Sequence, residues 1–154
     1  MEGSDLATTP DVAPAAPTTS VLVTPVTAVP AADPATAVAH FLALAGLETD
    51  CWDVHASLDP ATGEPQGFVL LDVRSAEAYA RGHVPGATSL PHAAIDAAAL
   101  GGHPPDTLFV VYCNGPHCNG ADKGALRLAR LGRPVKKMIG GVEGWRDEGF
   151  DLVT

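Results

Sequence analysis

Two cysteines in one short glycine-containing loop are the residues of this chain best suited to nucleophilic chemistry. Cys113 follows the apolar run LFVVY, and Cys118 lies five residues later in the stretch YCNGPHCNGADKG. Loop glycines tolerate the positive φ at which backbone amides turn toward one point, and a following helix adds the positive end of its dipole. We expect a thiol there to have a pKa below the free value of roughly 8.5, so that Cys113 is a thiolate nucleophile. The loop whose amides would surround it consists of Asn114, Gly115, Pro116, His117, Cys118, Asn119 and Gly120.

This loop needs a strand before it and a helix after it, and the sequence predicts both. Residues 107–112 are a short apolar run typical of a strand buried on both faces of a parallel sheet, and residues 67–73 have the same character. Weaker strands are predicted at 87–91 and 135–139. Because strands alternate with helical segments, we expect an α/β fold with a parallel sheet and helices on both faces. Ligands of such sheets bind beyond the carboxyl ends of the strands, which is the position of Cys113.

Four helices are predicted around these strands, at 33–46, 49–59, 75–82 and 120–132. Ser75 is a predicted N-cap and Gly82 a predicted end of the third helix. Three of the helices show one apolar face. These faces are formed by Val38, Phe41, Leu42 and Ala45 in the first helix, by Cys51, Val54, His55 and Leu58 in the second, and by Ala121, Ala125, Leu128 and Leu131 in the fourth. The segment after the last strand, GGVEGW, is expected to lead into a terminal turn.

The first 32 residues differ in composition from the rest and are predicted to be a disordered tail rich in Pro, Ala and Thr. The folded domain is expected over 33–154, with a helical extension at 33–59 and a core at 67–150. No apolar run reaches the roughly 20 residues that cross a bilayer, and the start lacks a basic signal region. We therefore expect a cytoplasmic protein without a membrane partner. Three cysteines without an export signal favour reduced thiols over a disulfide framework.

The charge distribution argues against nucleic-acid binding. The net charge is -9, and residues 1–73 hold ten acidic residues and no Lys or Arg. Phosphate affinity requires a basic patch. The one local concentration of cations runs from Arg127 to Lys137 and is interpreted as a solvated face. Cys51, on the apolar face of a helix, is interpreted as a core residue, since free cysteine is often buried.

Two separated stretches resemble the single-domain rhodaneses, sulfurtransferases that carry sulfur as a cysteine persulfide. LLDVRSAEAYARGHVPGATSLP, residues 70–91, is similar to the first motif of that family. VVYCNGPHCNGADKGALRLARLG, followed by MIGGVEGW, resembles its active-site strand, loop and helix and its closing segment. Together they cover 67 to about 150. The resemblance implies a rhodanese-like three-layer fold with a small parallel sheet of about five strands.

The resemblance also implies roles for individual residues. Cys113 matches the persulfide-forming cysteine, and 114–119 match the loop whose amides hold the sulfur. Asp72 and Arg74 match the first motif, where we favour a structural ion pair. The remaining matches are His83 and Gly86 in a turn beside the loop, with a structural hydrogen bond favoured for His83, and Gly141 and Trp145 in the last segment, with Trp145 interpreted as core.

The loop departs from the common pattern of the family because it is about two residues longer and lacks an arginine. An arginine would hold a dianion such as thiosulfate through a forked pair of hydrogen bonds. His117 and Lys123 are the nearby substitutes by sequence, although Lys123 would equally well point to solvent. Without this arginine, the sequence gives less support to thiosulfate as the donor than to sulfur transfer in general.

The function implied by the resemblance is sulfur transfer without a metal or an organic cofactor. Cys113 would accept sulfur from a small anion such as thiosulfate and pass it to cyanide, a small thiol or a protein. From its spacing alone, Cys118 is a candidate second thiol that attacks the persulfide, releases sulfide and leaves a disulfide. Candidates for substrate or structural support are Asp72, Arg74, His83 and Gly141, which match motifs of the family, and Lys123, which lies near the loop in sequence.

Three alternative functions are less consistent with the sequence. Cysteine-based phosphatases and arsenate reductases on the same fold use Cys-x5-Arg, but here that count reaches Asn119. Non-catalytic binding modules of the family typically lack the cysteine, which this chain has. A zinc site would use Cys113, His117, Cys118 and a distant histidine, and the spacing of the first three differs from the paired Cys-x2–4-Cys of structural zinc.

Overall fold

The computed structural model describes residues 22–154, and the first 21 residues of the predicted tail lie outside this range. Its helices are α1 (Pro34–Leu47), α2 (Cys51–Ala56), α3 (Ala76–Ala80), α4 (Gly120–Arg130) and α5 (Gly141–Asp147). Its strands are β1 (Glu48–Thr49), β2 (Val69–Asp72), β3 (Thr88–Ser89), β4 (Phe109–Tyr112) and β5 (Val135–Met138). A short 3-10 helix, His92–Ala94, follows β3. Residues 22–33 contain a turn in which the amide of Ala28 donates to the carbonyl of Thr24 at 2.9 Å.

All five strands form one parallel sheet in the order β1-β5-β4-β2-β3. The predicted α/β class with a five-stranded parallel sheet is therefore confirmed. Because β4 lies between β2 and β5, Asp72 is paired with Tyr112, and Val111 is paired with Lys137. The carboxyl ends of three neighbouring strands thus meet at one edge of the sheet, where Cys113 follows β4.

Side chains alternate along β4 between two hydrophobic clusters, one on each face of the sheet. Val110 and Tyr112 pack into the first cluster with Cys51 and Val54 of α2 and Trp145 of α5. Phe109, Val111 and Cys113 pack into the second cluster, together with Ala121 and Leu128 of α4. Since strand side chains alternate with period two, consecutive residues at the end of β4 point to different layers. This alternation decides the surroundings of Cys113.

The apolar patterns of the sequence missed one of the five strands and placed some helix boundaries wrongly. The strand is β1, whose two residues, Glu48 and Thr49, are too few to show a periodic pattern. Helix α2 ends at Ala56, so Leu58 of its predicted apolar face lies beyond the helix and forms a β-bridge with Pro65. The predicted terminal turn begins instead with the seven-residue helix α5. The predicted cap is present, because Ser75 Oγ accepts a hydrogen bond from the amide of Ala78 at 3.2 Å.

The apolar faces of the central helices are mostly covered, whereas the apolar face of α1 is exposed. Cys51, Ala121 and Leu128 are buried, as predicted. In contrast, Val38, Phe41 and Leu42 of α1 are 58%, 65% and 68% exposed, and His55 and Leu131 are also exposed. Periodicity identifies a helix but does not state whether another element covers its apolar face. Within residues 22–154, no helix is long and apolar enough to cross a membrane.

Candidate active site

The sulfur of Cys113 lies where β4 ends and the loop to α4 begins. The cysteine is 6% exposed and belongs to the cluster beneath α4. Its carbonyl accepts a hydrogen bond from the amide of Val142 at 3.1 Å, so the chain at this point is fixed by α5. The side chain nevertheless lines a cavity of about 190 Å³. The predicted position at the carboxyl edge of the sheet is therefore the observed one.

Cys113 and Cys118 form a disulfide bond in this structure, with their Cα atoms 6.3 Å apart. This corrects the expectation of reduced cysteines, because only Cys51 of the three is a free thiol in the structure. The expectation came from composition and compartment, whereas the bond follows from the loop, which returns residue 118 to the end of β4. Two sulfurs at one strand end are thus available for redox chemistry.

The loop between the two cysteines is tight and partly held by its own backbone. The amide of Cys118 donates to the carbonyl of Gly115 at 3.0 Å. The side-chain amide of Asn114 donates to Glu143 Oε1 at 3.0 Å. A Cβ on Gly115 would lie 2.6 Å from Glu143 Cδ, so this glycine lets α5 approach the loop. Of the remaining predicted loop residues, Pro116, His117 and Asn119 are exposed and Gly120 is buried.

Gly120 places the N-terminus of α4 directly against the sulfur of Cys113. A Cβ at this position would lie 2.7 Å from Cys113 Sγ and 3.4 Å from Cys118 Sγ. Since real side chains do not approach so closely, glycine is required at this contact. α4 has eleven residues, which is long enough for a helix dipole. Because its first residue, Gly120, contacts the sulfurs, the positive end of this dipole lies beside them. This arrangement favours a negative charge on sulfur when the disulfide is opened.

A second loop, residues 139–141, forms the opposite wall of the cavity. Gly141 has φ +58° and packs against the backbone of Cys113 and Asn114, where a Cβ would lie 3.0 Å from Asn114 C. The amide of Glu143 donates to the carbonyl of Asn114 at 2.8 Å. Gly141, matched by sequence to the closing segment, thus supports the active loop by close backbone packing.

Lys137 is the cation at the cavity, and sequence reasoning missed it. Its Nζ lies 2.9 Å from Asp122 Oδ1 and 3.1 Å from Glu48 Oε1, and the side chain lines the cavity beside Cys113. The hydrogen bond with Asp122 is the main cause of its raised pKa. The sequence places Lys137 in a cationic stretch interpreted as a solvated face, but in the fold it is one of the residues that line the cavity of Cys113. Its position at the carboxyl end of a strand was the signal that could have identified it.

The two residues predicted to replace the missing arginine lie elsewhere. His117 is exposed and is not part of the described cavity lining. Lys123 is exposed and lines a different cavity of about 620 Å³ with Arg127 and Arg130. Its position in the first turn of α4 placed it near the loop in sequence, but the helix rotation turns it outward. Neither residue shares the cavity of Cys113.

Asp72 and Arg74 form a buried ion pair on the other face of the sheet. Arg74 Nη2 donates to Asp72 Oδ2 at 2.6 Å and to the carbonyl of Gly82 at 2.7 Å. The Tyr112 hydroxyl donates to Asp72 Oδ2 at 2.9 Å and accepts from the amide of Val84 at 3.1 Å. Burial, together with the Asp72 charge, raises the pKa of Tyr112. The structural interpretation of this pair agrees with these contacts.

His83 and Cys51 also have structural surroundings. The His83 ring stacks on Tyr79 at 3.7 Å between centroids, and its Nδ1 lies 3.1 Å from the Tyr79 carbonyl.

Cys51 is 5% exposed, and its Sγ donates to the carbonyls of Ile139 at 3.4 Å and Gly141 at 3.7 Å. Burial raises the pKa of Cys51 to about 11. Cys51 thus supports the cavity wall as a neutral thiol.

The family model described as "Rhodanese-like domain" matches residues 35–148. The crystal structure of a Bacillus halodurans protein is 36% identical, with a TM-score of 0.73 over 79% of this chain and 86% of that one. The crystal structure of a thiosulfate sulfurtransferase from Pseudomonas aeruginosa is 26% identical, with a TM-score of 0.60 over 71% of this chain and 20% of that one.

Among curated proteins, an HTH-type transcriptional regulator of Mycobacterium tuberculosis is 42% identical over 84 residues. The match covers 54% of this chain and 36% of the regulator. The chain therefore spans only about a third of the length of this relative.

Proposed function

The chain belongs to the rhodanese-like domain family, and on this premise we propose that it is a sulfurtransferase that carries sulfane sulfur as a persulfide of Cys113. The observation that carries the proposal is the position of the Cys113 sulfur, which lies against the N-terminus of α4 and lines a cavity. The disulfide with Cys118 must be reduced before the reaction begins. The cysteine then has the surroundings of an activated nucleophile.

Sulfur uptake begins with attack by the Cys113 thiolate on the outer sulfur of a donor such as thiosulfate. The new bond joins Cys113 Sγ to that sulfur, and sulfite leaves with the electron pair of the broken sulfur–sulfur bond. The α4 dipole stabilises the negative charge of the persulfide that remains. A thiophilic acceptor, cyanide or a thiol, then attacks the outer sulfur and regenerates Cys113.

Lys137 is the group we assign to recognition of the donor anion. The cavity of about 190 Å³ has room for a small oxyanion, and Lys137 is the cation among its described lining residues. Asp122 and Glu48 both pair with this one ammonium, so their two carboxylates outweigh its positive charge. Binding of the anion through one ammonium is therefore expected to be weak compared with a forked arginine contact. The similarity to a thiosulfate sulfurtransferase supports the choice of donor.

The alternative functions receive less support from the cavity. A cysteine-based phosphatase or arsenate reductase needs a forked donor for the oxyanion, and the described lining contains Lys137 and no arginine. A non-catalytic binding module would have no need for a sulfur held against a helix N-terminus. Sulfur transfer therefore accounts for more of the observed arrangement.

The test is to measure sulfur uptake by the reduced full-length chain. After treatment with thiosulfate and removal of the excess, intact mass spectrometry of the Cys118→Ser variant should show one added sulfur atom, which cyanide removes as thiocyanate. The Cys113→Ala variant should take up none, and its thiosulfate:cyanide activity should fall to background, at least about a thousandfold. Uptake that persists in Cys113→Ala, or the absence of uptake in the reduced Cys118→Ser variant, would refute the proposal.

A further inference from the structure

Cys118 is a second loop cysteine, and sulfur transfer through Cys113 alone does not require it. A persulfide on one cysteine can be formed and discharged by external reactants, so a second cysteine in the same loop requires its own explanation. In this structure its Sγ is bonded to Cys113 Sγ. The Cα separation of 6.3 Å lies within the usual span of disulfides, about 4.4–6.8 Å. The loop thus brings the second sulfur to the atom that would carry the persulfide.

Several features of the loop hold Cys118 in this position. The turn closed by the Cys118 amide and the Gly115 carbonyl, at 3.0 Å, folds the chain back toward β4. Glu143 of α5 anchors Asn114 from outside through a 3.0 Å hydrogen bond. Gly120 leaves space for both sulfurs, because a Cβ there would contact each of them. The juxtaposition therefore depends on contacts from two helices as well as on sequence spacing.

We propose that Cys118 is a second catalytic residue, which attacks the Cys113 persulfide and releases its outer sulfur as hydrosulfide. The proposal rests on the proposed function, since it needs the persulfide as its substrate. The Cys113–Cys118 disulfide of this structure is then the product state of that step. The protein thereby reduces sulfane sulfur to sulfide, and the two electrons come from the thiols of Cys113 and Cys118.

The step is balanced without any oxidant. The Cys118 sulfur attacks Cys113 Sγ, and a bond forms between the two Sγ atoms. The bond between Cys113 Sγ and the outer sulfur breaks, and its electron pair leaves with the outer sulfur. The proton released by the Cys118 thiol accompanies that sulfur, so the products are hydrosulfide and the disulfide. The outer sulfur is reduced, and the two cysteine thiols together are oxidised by two electrons.

A dithiol is the class of co-substrate that would restore the two thiols. Cys118 is half-buried and Cys113 is 6% exposed, so an incoming thiolate reaches the Cys118 sulfur more easily. Attack there breaks the disulfide, releases the Cys113 thiolate beside α4 and leaves a mixed disulfide on Cys118. The second thiol of the reductant resolves this mixed disulfide intramolecularly and is itself oxidised to a disulfide. A monothiol lacks that second group and should be less effective.

The experiment follows a single turnover under anaerobic conditions. The fully reduced full-length chain is freed of reductant, mixed with thiosulfate and assayed for sulfide with a fluorescent thiol-trapping reagent. The wild type should release stoichiometric sulfide and lose two thiols to the Cys113–Cys118 bond. The Cys118→Ser variant should keep a cyanide-labile persulfide and release sulfide at least about tenfold more slowly. Added dithiothreitol should allow repeated turnover of the wild type, and slower turnover of Cys118→Ser, in which the dithiol must attack the persulfide directly.

Controls separate this inference from the proposed function. Persulfide formation in Cys118→Ser shows that the variant is folded and that Cys113 is reactive, and Cys118→Ala should behave in the same way. The Cys51→Ala variant keeps both loop thiols and should still form their disulfide. Sulfide release by Cys118→Ser at the wild-type rate, or a stable wild-type persulfide beside a free Cys118, would overturn the role of Cys118 alone. Absence of sulfur uptake in every variant would overturn both proposals.

Discussion

Tyr112 and Cys113 are consecutive residues at the end of β4, but their side chains lie in two regions with opposite chemistry. The Tyr112 region, formed with Asp72 and Arg74, is a closed network in which the charges neutralise each other and the hydroxyl is hydrogen-bonded. The Cys113 region has a sulfur pair, a helix N-terminus and a cavity. Both regions are buried, since Asp72 is 0% and Cys113 6% exposed.

The difference shows that a motif of ionisable residues does not by itself mark a reactive site. In the Tyr112 region each buried polar group is stabilised by a partner that belongs to the fold, and no cavity leads to it among the described ones. In the Cys113 region the group beside the sulfur is the N-terminus of α4, whose dipole also favours a foreign anion. Access and an exchangeable partner therefore distinguish the candidate site from the structural network.

The largest expected difference between the two regions comes from removing the Asp72 carboxylate, which should lower stability without abolishing sulfur uptake. In Asp72→Ala the buried Arg74 loses its counter-charge, and we expect the free energy of unfolding to fall by about 3–5 kcal/mol. Sulfur uptake per folded molecule should be retained, because the network faces the other layer. Urea unfolding and intact mass spectrometry measure the two effects. Asp147→Ala, at an exposed position, is the matched control and should change stability by less than about 0.5 kcal/mol.

A well-folded Asp72→Ala protein that takes up no sulfur would contradict this comparison. Such a result would assign the network to the reaction. If the variant is too unstable to purify, Asp72→Asn keeps the shape of the side chain and permits the same measurement.

Replacing Lys137 should have a smaller effect, confined to the cavity. Lys137→Gln removes the cation beside Cys113, and we expect KM for thiosulfate to rise about tenfold with a smaller change in kcat. Initial rates at several thiosulfate concentrations measure both constants. The neighbouring Lys136→Gln is the matched control, because Lys136 donates to the Ala45 carbonyl at 2.8 Å and lines a different cavity. Equal effects of the two substitutions would show that only overall charge matters.

The smallest expected effect concerns Cys51, a buried thiol outside the loop, whose ionisation should change the free energy of unfolding at high pH. Burial raises its pKa from 9.0 to about 11 in the folded chain, so the unfolded chain loses this proton first. Stability from this effect is fully present below pH 9 and is lost as pH rises toward 11. We expect the stability difference between the wild type and Cys51→Ala to shrink by roughly 1 kcal/mol between neutral pH and pH 10.

Urea unfolding of both proteins with the loop disulfide intact, at neutral pH and near pH 10, measures the change. Tyr112, whose pKa is also raised by burial, contributes equally to both proteins and cancels in the difference. A pH-independent difference would mean that Cys51 titrates as an exposed thiol does. The cavity wall at Ile139 and Gly141 would then be open to solvent.

The sequence by itself determined the α/β class, the central strands and the place of Cys113. Apolar runs bounded by glycine and charge identify buried strands, and glycines around a thiol at a strand end identify the loop. These are local patterns, which is why they were readable without coordinates. The same locality explains the errors. β1 was too short for a pattern, and nothing along α1 states whether its apolar face is covered.

The tertiary structure alone decided which chemical groups share the cavity. Lys137 reaches it because β5 lies beside β4, whereas Lys123, much nearer in sequence, is turned away by the rotation of α4. The bond between Cys113 and Cys118 likewise depends on a loop conformation held by α5 and by Gly120. Sequence spacing limits how far apart two residues can lie, but strand order and helix rotation set their directions, and direction decides contact.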